Sequence, residues 1–318
     1  MDTTLPSAGD LAGIRERRAQ TILLLNANAA GGRAGRYKRL IEQQIAGLPQ
    51  RPMLFVSRDA QSARRLVDAL PAGSRVIVFG GDGSVSELLP SLVAGGHTLG
   101  LVPVGSGNDT ARALGLDRMK WQAALEHALH ASATMADLGE LSYTNARGFE
   151  QRRLFISSFN AGFDAAVVQH SLMFPAWLSG MPRYTLATLA ELSELRSFDL
   201  SIALDGRAIH AGPVLLASAL NTSTYGGGMQ IAPTATTDDG ALDLMLASEM
   251  GLLRVLSLLP RMLVGRHLGE PGVIHQCFGK LELKAVAPAP MAADGEYLGE
   301  AVEATVLVRP ALLPVLRA

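Results

Sequence analysis

The chain has 318 residues, 48% hydrophobic and 18% charged, with a formal net charge of −1. That length favours two domains over one, and the composition excludes a disordered chain. A net charge so close to zero gives no general attraction to nucleic acid, which is therefore not expected as a partner, and any contact with anionic lipid would have to be local.

Cys277 is the single cysteine, so no intramolecular disulfide is available, which fits a reducing, cytoplasmic compartment. Residues 1–20 carry early acids and no apolar core of signal-peptide length, so export is not expected. The most apolar stretch, 250–264, is interrupted by Arg254 and Arg261 and is shorter than the roughly 20 residues that span a bilayer. A membrane, if met, is expected to be met peripherally, from its inner face.

Beyond residue 20, short apolar runs at 21–25, 53–56, 75–79 and 98–102 alternate with helical patterns at 33–46, 62–70 and 119–131. This alternation predicts a parallel sheet with crossover helices. In the second helix Leu66 and Leu70 are four apart and should share a buried face. From about residue 137 the rhythm changes to runs at 154–158, 199–204, 214–219, 242–247, 281–287 and 303–308, joined by turns. Helical insertions interrupt them near 184–195 and 251–264. A separate, mainly antiparallel domain is expected there. The expected layout is an extension over 1–20, an α/β domain over 21–136, a mainly β domain over 137–308 and a 309–318 tail packing back on the first domain. The boundary, near 134–140, has no Pro or Gly linker.

Gly80-Gly81-Asp82-Gly83-Ser84 follows the apolar run 76–79 and precedes Val85 to Leu89, which can begin a helix. Glycines at a strand end let backbone N–H groups approach a polyphosphate, and a following helix adds its positive dipole end. A carboxylate at Asp82 then makes sense beside Mg²⁺, unless the segment is only a turn that reverses the chain. After the next strand comes Pro103-Val104-Gly105-Ser106-Gly107-Asn108-Asp109-Thr110-Ala111-Arg112. Ser106 and Asn108 can hydrogen-bond a nucleotide, Asp109 can be a ligand or an N-cap, and Arg112 can pair with phosphate or with an acidic neighbour. A third loop, Asn26-Ala27-Asn28-Ala29-Ala30-Gly31-Gly32-Arg33, follows the first strand. Loops at the carboxyl ends of neighbouring parallel strands face one crevice, where open α/β sheets bind ligands. None of them is a Walker loop or a dinucleotide fingerprint.

These three segments, in order, resemble the motifs of the diacylglycerol kinase catalytic domain, shared by sphingosine, ceramide and bacterial lipid kinases. Further similarity runs through Asn160-Ala161-Gly162-Phe163-Asp164, Asn221, Gly226-Gly227-Gly228, Asp239-Gly240-Ala241-Leu242-Asp243 and Asp294-Gly295-Glu296. The departures are Ala27 for the usual Pro and Ser84 and Ser106 for the usual Thr, none of which removes a charged group. The resemblance implies an α/β plus all-β fold: a Rossmann-like three-layer domain, an antiparallel β-sandwich-like domain, and a nucleotide in the cleft between them. It implies ATP as phosphoryl donor, Mg²⁺, and a lipid acceptor at the membrane surface, and it allows a homodimer. Nucleotide would be held by Asn26, Asn28, Gly31, Gly32, Arg33, Gly80, Gly81, Gly83, Ser84, Gly105, Ser106, Asn108, Asp109 and Arg112. Asp294 would be the base that takes the hydroxyl proton, with Glu296 and Asp82 organising the metal. Asp239, with carbonyls of Thr236 and Ala241, would hold a second, structural magnesium, although the segment also reads as a plain turn. The Asp294-Gly295 pair reads locally as a hairpin turn too.

A lipid acceptor requires an apolar rim. Residues 171–195, with Met173, Phe174 and Trp177, and residues 251–264, with Leu252, Val255, Leu256, Leu259 and Leu263, are the candidates, though both also read as core. Two other functions compete. An NAD kinase also uses a GGDG loop but follows it with an Asn-Glu pair not evident here, and a non-catalytic lipid- or nucleotide-binding regulator would have no need for Asp82, Asp294 and Glu296.

Overall fold

The computed structural model describes residues 19–26, 34–105, 107–145, 147–175, 178 and 181–318. The chain divides into two compact units, 1–136 with 311–318, and 137–310.

In the first unit four parallel strands, β1 (Thr21–Asn26), β2 (Met53–Ser57), β3 (Arg75–Gly80) and β4 (Thr98–Pro103), stand in the order β2-β1-β3-β4. The crossovers are α1 (Ala34–Ile45), α2 (Ala60–Asp68) and α3 (Asp82–Ala94), and α4 (Asp109–Ala113) and α5 (Trp121–His130) follow β4. Side chains alternate along a strand, so a sheet covered on both faces needs an unbroken apolar run. β1 supplies one: Leu23 and Leu25 pack with Ile41 and Ile45 of α1 and Leu125 of α5, while Ile22 and Leu24 on the opposite face are also buried. Leu66 and Leu70 are buried as their spacing requires, although Leu70 lies just beyond the end of α2. Asp59 begins α2 with a capping box, accepting from Ser62 N at 2.7 Å while Ser62 Oγ accepts from Asp59 N. Arg75 closes α5, its guanidinium donating to the carbonyls of Ala128, Leu129 and Ala131.

The second unit is antiparallel. β6 (Glu150–Phe155) pairs with β5 (Thr134–Asn145), and β7 (Ser158–Gly162) lies between β9 (Arg207–Leu220) and β12 (Lys280–Ala293). β9 continues to β10 (Leu242–Ser248) and β11 (Val273–Phe278), and β12 to β13 (Glu296–Val315). β8 (Phe198–Leu204) pairs with both β9 and β12. The two long strands thus change partners along their length, with register shifts in the β12–β13 and β9–β10 ladders where pairing changes. One apolar core, including Phe155, Phe159, Leu200, Ile202, Leu204 and Leu283, fills the fold. Helices α6 (Phe163–Ser171), α7 (Met181–Ser193) and α8 (Leu252–Met262) cover a second cluster around Phe163, Leu216 and Met245.

Three sequence expectations change. The run 154–158 is not one strand: it breaks at Ile156 and Ser157, whose amides bond to Asp294. The second unit contains a further helix, α6, besides the two expected insertions. The last strand is much longer than 303–308, running from Glu296 to Val315. The chain leaves the first unit within β5 and returns to it within β13, so a continuous strand stands where a linker would be sought.

The returning segment is stitched into the first unit. Val315 pairs with Leu99, Leu316 N donates to Leu99 O at 3.0 Å, and Ala318 N donates to Leu114 O at 3.0 Å. Leu316 is fully buried among Ile77, Ala128 and their neighbours. Leu316→Ala should destabilise the first unit by about 2–5 kcal/mol, as large-to-small core changes do; a denaturant midpoint equal to that of the parent chain would show that the segment is not part of this core.

Candidate functional site

β3 and β4 are adjacent and parallel, so the glycine loops that follow them emerge side by side. Gly81 is the extended N-cap residue of α3, whose first turn has no side-chain cap. Asn108, with φ 57°, precedes α4 in the left-handed conformation. The loops touch backbone to backbone. A Cβ on Gly105 would lie 2.7 Å from Gly81 Cα, and one on Gly81 would lie 3.1 Å from Gly105 Cα. Val104 N donates to Gly80 O at 3.1 Å in the same seam. A Cβ on Gly80 would meet Ser84 Cβ at 2.7 Å, and one on Gly107 would meet Asp82 Oδ2 at 3.0 Å. Most of these glycines are thus required by the packing of the loops themselves. Gly83 differs, because a Cβ there would meet no neighbouring atom within 4 Å.

Asp82 joins the two loops. Its Oδ1 accepts from Thr110 N at 2.8 Å and its Oδ2 from Asp109 N at 3.1 Å, so a carboxylate on α3 caps α4. This corrects the reading of Asp109 as an N-cap: Asn108 holds the cap position, makes no side-chain cap bond, and donates from Nδ2 to Gly105 O at 2.8 Å. Asn108 Oδ1 is buried without a hydrogen-bond partner among the described residues. Asp109 is 5% exposed and ion-paired with Arg112, which also lies 3.8 Å from Asp117. Of the two partners expected for Arg112, the acidic one is present. Asn26 Nδ2 donates to Ser84 Oγ at 3.0 Å and ties the end of β1 to the first turn of α3. Asn28, Gly31, Gly32, Arg33 and Ser106, and Trp177 of the first apolar candidate, lie outside the described residues.

In the second unit Asp294 turns the chain between β12 and β13 with a left-handed φ of 46°. Its carboxylate accepts from three successive amides, Ile156 N at 3.0 Å, Ser157 N at 2.8 Å and Ser158 N at 3.1 Å. Its own N donates to Ser158 O at 2.9 Å. Asn221 holds the same segment from another side, donating from Nδ2 to Ile156 O at 2.8 Å and Asp137 O at 2.9 Å. Glu296 is exposed and ion-paired with Arg153.

Asp239 Oδ1 accepts from Ala241 N at 3.0 Å, an Asx-type turn, and Asp137 clamps the same loop by accepting from Gly240 N at 2.7 Å. Asp239 and Thr236 are both exposed at this turn. Among the described residues no group of three or more His, Cys, Asp or Glu is placed to hold a metal. A magnesium ion at Asp82 would therefore complete its shell with phosphate oxygens and water, which is how Mg²⁺ is usually held. The open space at Gly83 and the uncapped first turn of α3 fit a nucleotide phosphate group, and the orphaned Asn108 Oδ1, an acceptor, fits a donor beside it such as a nucleotide hydroxyl or a metal-bound water.

One cluster had no signal of its own in the sequence. Asp164, in the first turn of α6, accepts from Tyr225 Oη and, at 3.2 Å, from Ser218 Oγ. Burial pushes its carboxyl above the ordinary value, and the two hydroxyl donors oppose that shift. The residues come from three segments, so only folding makes them neighbours. The nearest hint was the Asn-Ala-Gly-Phe-Asp segment that carries Asp164.

Residues 20–141 match the diacylglycerol kinase catalytic domain, and residues 157–317 match the YegS C-terminal NAD kinase beta sandwich-like domain. A diacylglycerol kinase of Mycobacterium tuberculosis (strain CDC 1551 / Oshkosh) is 36% identical over 216 residues, 67% of this chain and 68% of that one. This chain belongs to the diacylglycerol kinase family. Two solved structures extend the likeness in fold. A diacylglycerol kinase from Bacillus anthracis str. Sterne aligns with a TM-score of 0.66 at 17% identity, covering 94% of this chain and 97% of that one. An NAD kinase from Archaeoglobus fulgidus in complex with ATP aligns with a TM-score of 0.52 at 12% identity, covering 93% and 92%. The expected fold class, an α/β part followed by a sandwich-like β part, is the fold of this diacylglycerol kinase family member.

Gly105→Ala should separate the two glycine loops and cost about 1–3 kcal/mol as an overpacking change, and a thermal unfolding midpoint unmoved from the parent would contradict the close approach. Asp164 gives a pH signature. Its folded value lies above the ordinary 3.8, so its stabilising share is complete below that pH and falls as pH rises through the folded value. Asp164→Asn removes this slope and should gain on the parent chain from acid toward neutral pH. Denaturant titrations across that range check it, and a stability difference that does not vary with pH counts against a raised carboxyl.

Proposed function

We propose that this member of the lipid kinase family is an ATP- and Mg²⁺-dependent enzyme that transfers the γ-phosphoryl group to the hydroxyl of a diacylglycerol, a sphingoid base or a related lipid. The observation that carries the reading is the paired glycine loop fastened by Asp82, with Asn108 Oδ1 beside it, buried and without a partner among the described residues. Phosphoryl transfer asks a protein mainly for position and charge neutralisation. Bound Mg·ATP would supply the phosphoryl group and the neutralising cation. Asn26 and Ser84 would orient the phosphates, Gly83 would leave room for them, Asn108 Oδ1 would accept from a nucleotide hydroxyl or a metal-bound water, and Asp82 would face the metal with the lone pairs that its two amide bonds leave free. Arg112, already paired with Asp109, would hold the loop in place and not the phosphate.

Asp294 would take the proton from the acceptor hydroxyl, its position fixed by the amides of residues 156–158. Glu296, exposed and tied only at the surface, would join the metal network by releasing Arg153. The acceptor's chains would lie along apolar residues that the core leaves exposed, such as Met173, Leu186 and Leu189. No described helix is long and apolar enough to cross a membrane, and the enzyme would work at the inner membrane face by peripheral contact.

The three amide bonds of Asp294 also favour a second reading, in which it is a structural fastener and not the base. Asp294→Asn separates them. Because the carboxylate accepts three amide bonds, the unfolding midpoint should fall on either reading; as the base, its replacement should also lower turnover per folded molecule by about 10²–10⁴-fold with ATP affinity nearly unchanged, whereas as a fastener alone any residual turnover keeps its rate per folded molecule. The reaction itself is tested by following label from γ-labelled ATP into a total lipid extract and, in parallel, into NAD. Label in lipid alone is expected, and label in NAD alone would replace this reading with an NAD kinase.

A further inference from the structure

Helix α8 is apolar on two faces, and the core of its unit uses only one. Val255, Leu259 and Met262 pack against the cluster around Leu216 and Met245, and Leu258 is buried beside them. Leu252, Leu253 and Leu256, with Leu263 and Val264 just past the helix, are exposed, Leu253 at 85%. At about 100° per residue these side chains share an arc opposite Leu258. An exposed apolar strip of this kind marks a contact surface.

The charges nearby indicate what it contacts. The net charge of the whole chain is −1, yet residues 249–270 carry Arg254, Arg261 and Arg266 against Glu249 and Glu270, a local excess of positive charge. Arg254 and Arg261 lie along one edge of the strip and share Glu270 as acidic partner, and Arg266 is exposed just beyond. Two copies meeting through this face would set like charges against each other. An anionic bilayer instead offers acyl chains to the leucines and phosphates to the guanidinium groups. We propose that α8 docks the chain on an anionic phospholipid surface, with Leu253 and Leu256 reaching the boundary between headgroups and acyl chains. The choice of partner rests on the lipid kinase reading, because an enzyme acting on membrane lipid has to stay at the bilayer between turnovers.

The test is cosedimentation of the full chain with phosphatidylcholine vesicles, with and without phosphatidylglycerol. Retention is expected on the vesicles containing phosphatidylglycerol. Leu253→Glu combined with Leu256→Glu should weaken it by about tenfold or more. Arg266→Gln should weaken it by about fivefold, the effect of one basic residue near an anionic surface. All three side chains are exposed, so an unchanged unfolding midpoint is the control for folding, and Arg266→Gln gives an independent readout if the double variant fails it. A parent chain that stays in the supernatant, or a double variant retained as well as the parent, overturns the proposal. A parent dimer that the double variant splits, with no vesicle binding, assigns the face to a second copy and overturns it equally. Vesicle binding that behaves as expected in a chain that phosphorylates no lipid supports the docking surface and removes the kinase reading, so the two fail separately.

Discussion

The first unit depends on a contact in which two backbones meet with no side chain between them. Gly81 and Gly105 approach so closely that a methyl group on either would push the loops after β3 and β4 apart. Hydrogen bonds then fasten what the missing side chains allow. Val104 donates across to Gly80, and Asp82 reaches from the first turn of α3 to two amides of α4. The starts of two helices and the ends of two strands become one wall. A carboxylate that accepts amide N–H bonds on both oxygens has little rotational freedom, and that is the condition for presenting its remaining lone pairs in a fixed direction.

The second unit uses the same device. Asp294 sits in a left-handed turn and fastens three successive amides of another segment, 156–158, interrupting what would otherwise be one strand. Both carboxylates that chemistry would single out are therefore also structural fasteners. Glu296, two residues further, has no such anchorage: it is exposed and held by one surface ion pair. Fixed carboxylates suit positioning, and an exposed one can exchange partners at low cost.

Legibility in the sequence followed the range of the forces involved. β1 to β4 were readable because strands of a sheet covered by helices need continuous apolar runs, and turn glycines bound the runs of β3 and β4 sharply. β5 was missed because Asp137 and Glu140 interrupt its pattern, and α6 because Phe163 to Ser171 follows a strand directly, with no capping residue to announce it. α8 was found, but its stripe had two owners: Val255 and Leu259 belong to the core, whereas Leu252, Leu256 and Leu263 do not. Spacing gives a direction around a helix axis, and only neighbours decide which direction is inside.

The sequence by itself determined the class of the two parts, the order of the parallel strands' loops and the identity of the residues with chemical capacity. Local glycine placement, apolar periodicity and carboxylate type are properties of short segments. Tertiary structure decided what those residues touch. It assigned Gly81 to Gly105, Asp82 to the amides of α4, Asp294 to the amides of 156–158, and Asp164 to Tyr225 and Ser218. Each of these pairings joins segments distant in the chain, and a hydrogen bond or a close approach depends on distance in space, which spacing along the sequence does not encode.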